Sequence, residues 1–324
     1  MNQRKTKVFA GISVIVLLIT ACQEDNDSAA YPDGDITLVI PYEPGGATDV
    51  VFRATIPYLE DELDINVIPQ NIPGASASTG SQEVLEADPD GYTVLGTHET
   101  LIQTNLAGVT DYSISEFEHV ALLTETPVIA GVNSDTGWDN LDDLAEAIDS
   151  GEEITWGITR GSTSHFFTEM MLNTLDAPSD SLNYIDYVGT ADAIAALQSG
   201  EIDGTYTDIA SSQSQFDSGE FTPLGVADEE RTDELPEAAT FEEQGYDLVY
   251  TSARGVFAPS ETPQDVVDTL SSALENVVEN DGFQEQVADV GTNPSYLNPE
   301  DHESFMVDLE GQFTDIAQDM EFED

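Results

Sequence analysis

Three short stretches of this chain carry residues able to act on another molecule: Pro41-Tyr42-Glu43-Pro44-Gly45-Gly46-Ala47-Thr48-Asp49, Arg160-Gly161-Ser162-Thr163-Ser164-His165 and Tyr187-Val188-Gly189-Thr190-Ala191. Each follows an apolar run and opens a helical pattern. A strand, a glycine turn and a helix start leave main-chain N–H groups at a helix N-terminus, which hold a small anion without a basic side chain. Gly45 and Gly46 also permit positive φ and a close approach of backbone to ligand. Tyr42, Gly45, Gly46, Ala47 and Thr48 are expected to form one jaw of a site. Arg160, Ser162, Thr163 and Ser164 are expected to form the other, where Arg160 could clamp a carboxylate bidentately. Tyr187, Gly189 and Thr190 extend it, and Asp208, at the end of a later strand, is a weaker candidate.

Other chemistry is weighed against this. Ser162, Ser164 and His165 invite a secreted serine hydrolase, but adjacent side chains at a helix start rarely form a relay, and no Gly-x-Ser-x-Gly elbow is present. No catalytic residue is assigned. Asp49 and Arg53, four apart on one helix face, read as a structural pair. Thr48 or Asp49 is the expected N-cap of that helix. For His98 two readings stand, a place in the cleft or one in a surface loop, and Glu43 has no assigned role. A cationic or zwitterionic solute would suit Glu43, Asp49 and Asp208. No calcium loop, zinc constellation, phosphate loop or dinucleotide fingerprint occurs, so neither metal nor cofactor is expected.

Charge sets the setting for this chemistry. The 324 residues hold 65 acids against seven Lys and Arg. Three of the seven (Arg4, Lys5 and Lys7) precede Cys22, and every acid follows it. A chain starting at Cys22 keeps only Arg53, Arg160, Arg231 and Arg254, for a formal charge of −61. Such self-repulsion opposes folding at ordinary ionic strength, whereas molar salt cuts the Debye length to about 3 Å. Disorder is the other reading of heavy acidity, but 40% of the residues are hydrophobic and fall in regular patterns. A halophile's folded protein is expected, and binding to nucleic acid or to an anionic membrane surface is not.

Residues 1–21 read as a signal peptide. Arg4, Lys5 and Lys7 form its positive end, Val8 to Ile19 its apolar core, and Leu18-Ile19-Thr20-Ala21-Cys22 resembles a lipobox. Cys22, the sole cysteine, is then the acylated first residue, with 22–30 as an acidic tether. That places the protein outside the cell, lipid-anchored to the outer face of the cytoplasmic membrane.

From Tyr31 short apolar strands alternate with amphipathic helices, giving an α/β fold. Strands are expected at Ile36–Ile40, Ile65–Ile68, Tyr92–Gly96, Val120–Thr124, Val128–Val132, Ile154–Ile158, Tyr184–Tyr187, Ile202–Tyr206 and Leu224–Ala227. The principal helices are expected at Val50–Leu63, Asp139–Ser150, Ser164–Leu175, Ala191–Gln198, Pro263–Glu279 and Pro299–Met320. The length exceeds one comfortable core, so two lobes are expected: 31–125 with 229–324, and 126–228. The crossings are placed near Thr124–Val128 and Ala227–Glu230.

In their order and spacing these segments resemble the solute-binding receptors of tripartite tricarboxylate transporters, the Bug family. The matching pieces are Tyr31-Pro32-Asp33 with Ile36–Pro41, Pro44–Asp49, Asn71-Ile72-Pro73-Gly74-Ala75, Asp90-Gly91-Tyr92-Thr93 with Leu95-Gly96, Gly161–His165, Tyr187-Val188-Gly189 and Gly200-Glu201-Ile202-Asp203. The resemblance implies a two-lobed type II periplasmic binding-protein fold with the ligand cleft between lobes. It also implies a small organic carboxylate as ligand, delivered to membrane permease subunits; a ligand sensor for a signalling kinase is the alternative. A monomer is expected. Val188 stands where the family usually has Lys or Arg, and Glu43 where an apolar residue is commoner.

Overall fold

The computed structural model describes residues 31–318, Met320 and Phe322. The expected signal peptide, the tether and Cys22 lie outside them.

The chain forms two sheets. The first contains β1 (Ile36–Ile40), β2 (Val67–Asn71), β3 (Thr93–Thr97), β4 (Phe117–Pro127), β10 (Thr251–Pro259) and β11 (Asn293–Leu297), in the order β11-β4-β10-β3-β1-β2. The second contains β5 (Ile129–Asn133), β6 (Thr155–Ile158), β7 (Asn183–Asp186), β8 (Gly204–Thr207) and β9 (Phe221–Val226), in the order β7-β6-β8-β5-β9. Within each sheet three strands run parallel: β1, β2 and β3 in the first, β6, β7 and β8 in the second. The apolar run of β1 suits a central parallel strand covered on both faces.

The helices are α1 (Ala47–Leu63), α2 (Ser78–Leu85), α3 (Thr100–Leu106), α4 (Leu141–Ser150), α5 (Thr163–Thr174), α6 (Thr190–Ser199), α7 (Ile209–Ser218), α8 (Gln264–Glu279), α9 (Asp281–Ala288) and α10 (Pro299–Ala317). In α8 the residues Val266, Val267, Leu270, Leu274, Val277 and Val278 form one buried stripe against the first sheet, as helical spacing dictates. Expected and observed elements agree in kind along most of the chain. Two differences matter for function: β10 and α3 are absent from the sequence-based assignment, and β4 runs well beyond its expected bounds.

The chain leaves the first sheet at Pro127 and enters the second at Ile129. After β9 it still packs on the second sheet: Phe241 N–H donates to Val226 O, and the Gln244 amide donates to Leu224 O. It rejoins the first sheet at Thr251, which pairs with Pro127. At this junction Ala227 N–H donates to Val128 O and Tyr250 N–H to Ala227 O, both at about 2.9 Å or less. Three backbone segments therefore lie side by side where the sheets meet.

One core cluster packs the first sheet against α1, α8 and α9, and another packs the outer face of the second. A third joins both sheets. In it Phe313 of α10 touches Phe166 of α5 and Tyr250, with ring centroids 5.1 and 5.9 Å away.

Candidate functional site

The C-terminal ends of β1 and β3 and those of β6 and β8 carry the loops that meet between the sheets. Crevices outside the carboxyl ends of parallel strands are where open α/β sheets bind ligands.

The β1–α1 turn is held from within. Gly45, at φ +87°, donates its N–H to Asp49 Oδ2 at 2.8 Å. Asp49 also accepts from Arg53 Nε at 2.8 Å and from the Asn71 amide at 2.8 Å, and that amide donates to Tyr42 O as well. Burial acts against the Asp49 carboxylate, but Arg53, Asn71 and Gly45 N–H outweigh it and hold its pKa below the usual value. Asp49 and Arg53 are thus the structural pair the spacing predicts. The N-cap is Gly46 rather than Thr48 or Asp49, because the helix starts three residues before the apolar pattern does. Gly46 N–H turns back to Glu43 O. The two glycine N–H groups are therefore engaged in the turn itself. Those of Ala47, Thr48 and Asp49, in an uncapped first turn, have no partner among the described residues.

Tyr42 lies flat on His98, centroids 4.9 Å apart and planes 10° apart, with its hydroxyl 3.0 Å from Thr97 Oγ1. His98 Nδ1 lies 3.6 Å from Glu99 Oε1.

On the second sheet, α5 begins at Ser162 without a side-chain cap, which leaves Thr163 and Ser164 N–H without partners among the described residues. The hydroxyls are spent: Ser162 donates to Thr159 O at 2.8 Å, and Ser164 Oγ accepts from Thr159 N–H at 2.8 Å. Thr163 donates to Glu99 Oε1 at 3.1 Å, with Gln103 Oε1 at 3.0 Å. Gly161 (φ +71°) comes so close to α3 that a Cβ there would meet Ala107 Cβ at 2.8 Å. No hydrolytic relay forms. His165 Nδ1 accepts Gly161 N–H at 3.2 Å, while Nε2 faces Glu169 at 3.8 Å. Burial, reinforced by Arg160, lowers the His165 pKa to about 4. The backbone N–H of Arg160 donates to Asp186 Oδ1.

The third turn is more open. α6 starts at Gly189 with no side-chain cap, and Val188 is 94% exposed beside it. Thr190 opens α6, while Tyr187 packs inward against the outer core of the second sheet. Asp208, 3% exposed, is the N-cap of α7 and accepts Ser211 N–H at 2.8 Å. Its charge, after burial, keeps the neighbouring Tyr206 hydroxyl protonated far up the pH scale.

Two buried charges at this junction escaped the sequence reading. Glu99 is completely buried; Oε1 accepts from Tyr250 at 2.7 Å and Oε2 from Ala253 N–H at 3.1 Å. Burial pushes its pKa up, but His98 and the Tyr250 hydroxyl outweigh this and hold it below the usual carboxylate range. Arg254 is 2% exposed, with Nε 3.2 Å from Thr48 Oγ1 and Nη1 bonded to Thr126 Oγ1. Its charge acts on Tyr42, after β1, and on Tyr206, in β8. The available signal was a lone arginine inside a run of small and apolar residues, Thr251–Pro259.

Residues 51–321 match the tripartite tricarboxylate transporter family receptor. The chain belongs to that family. Its relatives include a UPF0065 protein of Bordetella pertussis, 28% identical over 95% of this chain and 96% of the relative, and protein BugT of the same organism, 25% identical over 95% of each. Among solved structures the periplasmic binding protein BugD superposes with a TM-score of 0.78 at 26% identity, over 89% of this chain and 98% of BugD. A Rhodopseudomonas palustris protein with bound adipate gives 0.80 at 22% identity, over 89% and 98%, and so agrees in fold. The family's receptors are solute-binding proteins with this two-sheet α/β fold. The uncapped turns at α1, α5 and α6 coincide with the pieces through which the sequence resembles them.

Proposed function

We propose that this receptor captures a small organic carboxylate between its two sheets and delivers it to the membrane permease subunits of a tripartite tricarboxylate-type transporter. The observation that carries this is the pair of uncapped helix starts, α1 on one sheet and α5 on the other: Thr163 of α5 bonds Glu99, and the neighbouring His98 stacks on Tyr42 of the turn that leads into α1. Unpartnered N–H groups there suit an anion, and they carry no charge for the acidic surface to cancel. A R. palustris protein of the same fold holds malate and another adipate, which supports a dicarboxylate. The nearby carboxylates Asp49, Glu99 and Asp208 are each engaged within the protein, which argues against a cationic solute.

In this reading the binding residues are Tyr42, Gly45, Gly46, Ala47, Thr48, Arg160, Ser162, Thr163, Ser164, Tyr187, Gly189, Thr190 and Asp208. Gly45, Gly46 and Asp208 shape the site, and the N–H groups of Ala47, Thr48, Thr163, Ser164 and Thr190 face the ligand. The protein is a monomeric binder with no catalytic step. Each sheet is the centre of one lobe, 31–125 with 229–324 and 126–228, and the contacts of Phe241 and Gln244 with the second sheet favour a second crossing nearer Tyr250–Thr251. Closure about the junction stabilises the liganded state. Cys22 carries the lipid anchor on the outer face of the cytoplasmic membrane, and the fold is adapted to molar salt.

Calorimetry in molar KCl against citrate, malate, adipate, terephthalate, glutamate and betaine tests the ligand class; binding of betaine alone would overturn it. Intact mass of membrane-extracted protein tests acylation. A melting temperature that fails to fall on dilution from molar to 0.1 M KCl would refute the salt adaptation.

A further inference from the structure

We propose that Arg254 is the cation that pairs with a carboxylate of the bound solute. The inference rests on the carboxylate-receptor reading and names the side chain that holds the ligand's charge. Arg254 is buried in β10, where its guanidinium meets two hydroxyls, Thr48 Oγ1 and Thr126 Oγ1. Among the described residues no carboxylate lies within ion-pairing distance of it. Arg53 and Arg231 contrast with this, pairing with Asp49 at 2.8 Å and Glu243 at 2.6 Å. A buried charge without a counter-charge is costly, and structural arginines are normally paired. A chain with 65 acids has no shortage of partners to offer, yet Arg254 faces threonines.

The buried acids closest in the fold are committed elsewhere. Glu99 accepts from Tyr250, Thr163 and Ala253 N–H, Asp208 caps α7, and Asp49 holds Gly45, Arg53 and Asn71. A guanidinium has five N–H donors, of which the threonines take two, so one on Nη1 and two on Nη2 remain for a carboxylate. Thr48 lies in the first turn of α1, so the cation and the unpartnered N–H groups of Ala47, Thr48 and Asp49 converge on one place. The helix start and the buried side chain are independent features, and both call for an anion.

The setting explains why the cation is inside. Molar salt screens exposed pairs within about 3 Å, whereas a buried pair is screened far less. A surface lysine would lose its grip on a carboxylate in brine, and Arg254 would keep it.

The test is calorimetry in molar KCl with malate, adipate and citrate as probes, on the parent protein and on Arg254→Met, together with the melting temperature of each without ligand. The variant is expected to bind the probe that the parent binds best about 30-fold more weakly or worse. Its ligand-free melting temperature should be unchanged or higher, because an uncompensated charge has left the interior. Arg254→Lys, which keeps the charge without the fork, should recover part of the affinity. Arg254→Met binding within threefold of the parent would overturn the proposal and leave the receptor reading intact. A lower ligand-free melting temperature with affinity retained would make Arg254 a structural residue and equally overturn it. A parent that binds betaine and none of the carboxylates would instead refute the underlying reading. Should Arg254→Met fail to fold, Arg254→Gln, which keeps a donor towards Thr48, is judged by the same criteria.

Discussion

The hydroxyl of Thr163, in the first turn of α5 on the second sheet, donates to the buried Glu99 carboxylate at the start of α3 on the first, 3.1 Å away. It is a direct polar link between the two halves. Thr163→Val removes the donor while keeping the volume, and should cost about 1–2 kcal/mol of stability. Denaturation in molar KCl measures this, and Thr163→Ser should restore most of it. Small-angle scattering of the ligand-free variant should show a larger radius of gyration; unchanged stability and radius would show that the link holds nothing.

Acid should weaken the fold through its histidines. Burial lowers the pKa of His119, like that of His165, to about 4, and holds that of His302 well below its usual value. His119 Nε2 and both ring nitrogens of His302 lack hydrogen-bond partners among the described residues, and the two rings touch at 5.1 Å. Each folded pKa lies below the unfolded value, about 6.5. The unfolded chain therefore binds more protons, and stability falls as pH drops from about 6.5 towards 4. For His119 or His165 the loss between pH 7 and 5 is on the order of 2 kcal/mol. Melting curves at both pH values in about 3 M KCl, where surface repulsion is screened, check this. His302→Leu should raise the melting temperature more at pH 5 than at pH 7, and an equal shift would contradict the assignment.

Ala75, Ser76 and Ala77 occupy the left-handed region at φ 45°, 51° and 73°, ahead of α2. Such conformations cost residues with a Cβ about 1–2 kcal/mol each relative to their ordinary backbone. Glycine adopts them freely but loses more entropy on folding. Ala75, which is exposed, should therefore tolerate Ala75→Gly with a gain of about 0.5 kcal/mol, against the usual sign for that substitution. A clear loss in chemical denaturation would show that the turn carries no strain.

Asp49 ties together Gly45, Arg53 and Asn71. Asp49→Ala leaves the Gly45 N–H and one Asn71 amide hydrogen without an acceptor and takes the carboxylate from Arg53, so stability should drop by about 1–3 kcal/mol. Affinity for the best carboxylate should fall about tenfold as the α1 start loses its shape. Removing a carboxylate from beside an anion would otherwise strengthen binding, so the direction of change decides between the two roles.

Much of the architecture could be read from periodicity. β1, α4, α5, α8 and α10 carry apolar spacing that only their observed structure satisfies, and the glycine turns mark where strands end. β10 was missed because Ser252, Ala253, Arg254 and Gly255 break the apolar run with small and charged residues. They fit there because β10 lies between β3 and β4, where close packing rather than side-chain bulk fills the space. Arg254 was overlooked with it. The burial of Glu99 is not legible in sequence, because its partners Tyr250 and Ala253 lie some 150 residues away. The hydroxyls of Ser162 and Ser164 looked available in sequence and are tied to Thr159, a local contact that residue types alone do not reveal.

The backbone row Val128–Ala227–Tyr250 has a mechanical consequence. Three strands of chain bonded edge to edge bend easily across their width and resist shear along it, as a strip of tape does. In the proposed closure the halves would swing like the covers of a book about one spine, so loops at the open margin would travel farthest while groups next to the spine, Arg254 and Thr126 among them, would scarcely shift. A guest would meet its firmest anchor before the covers have moved at all.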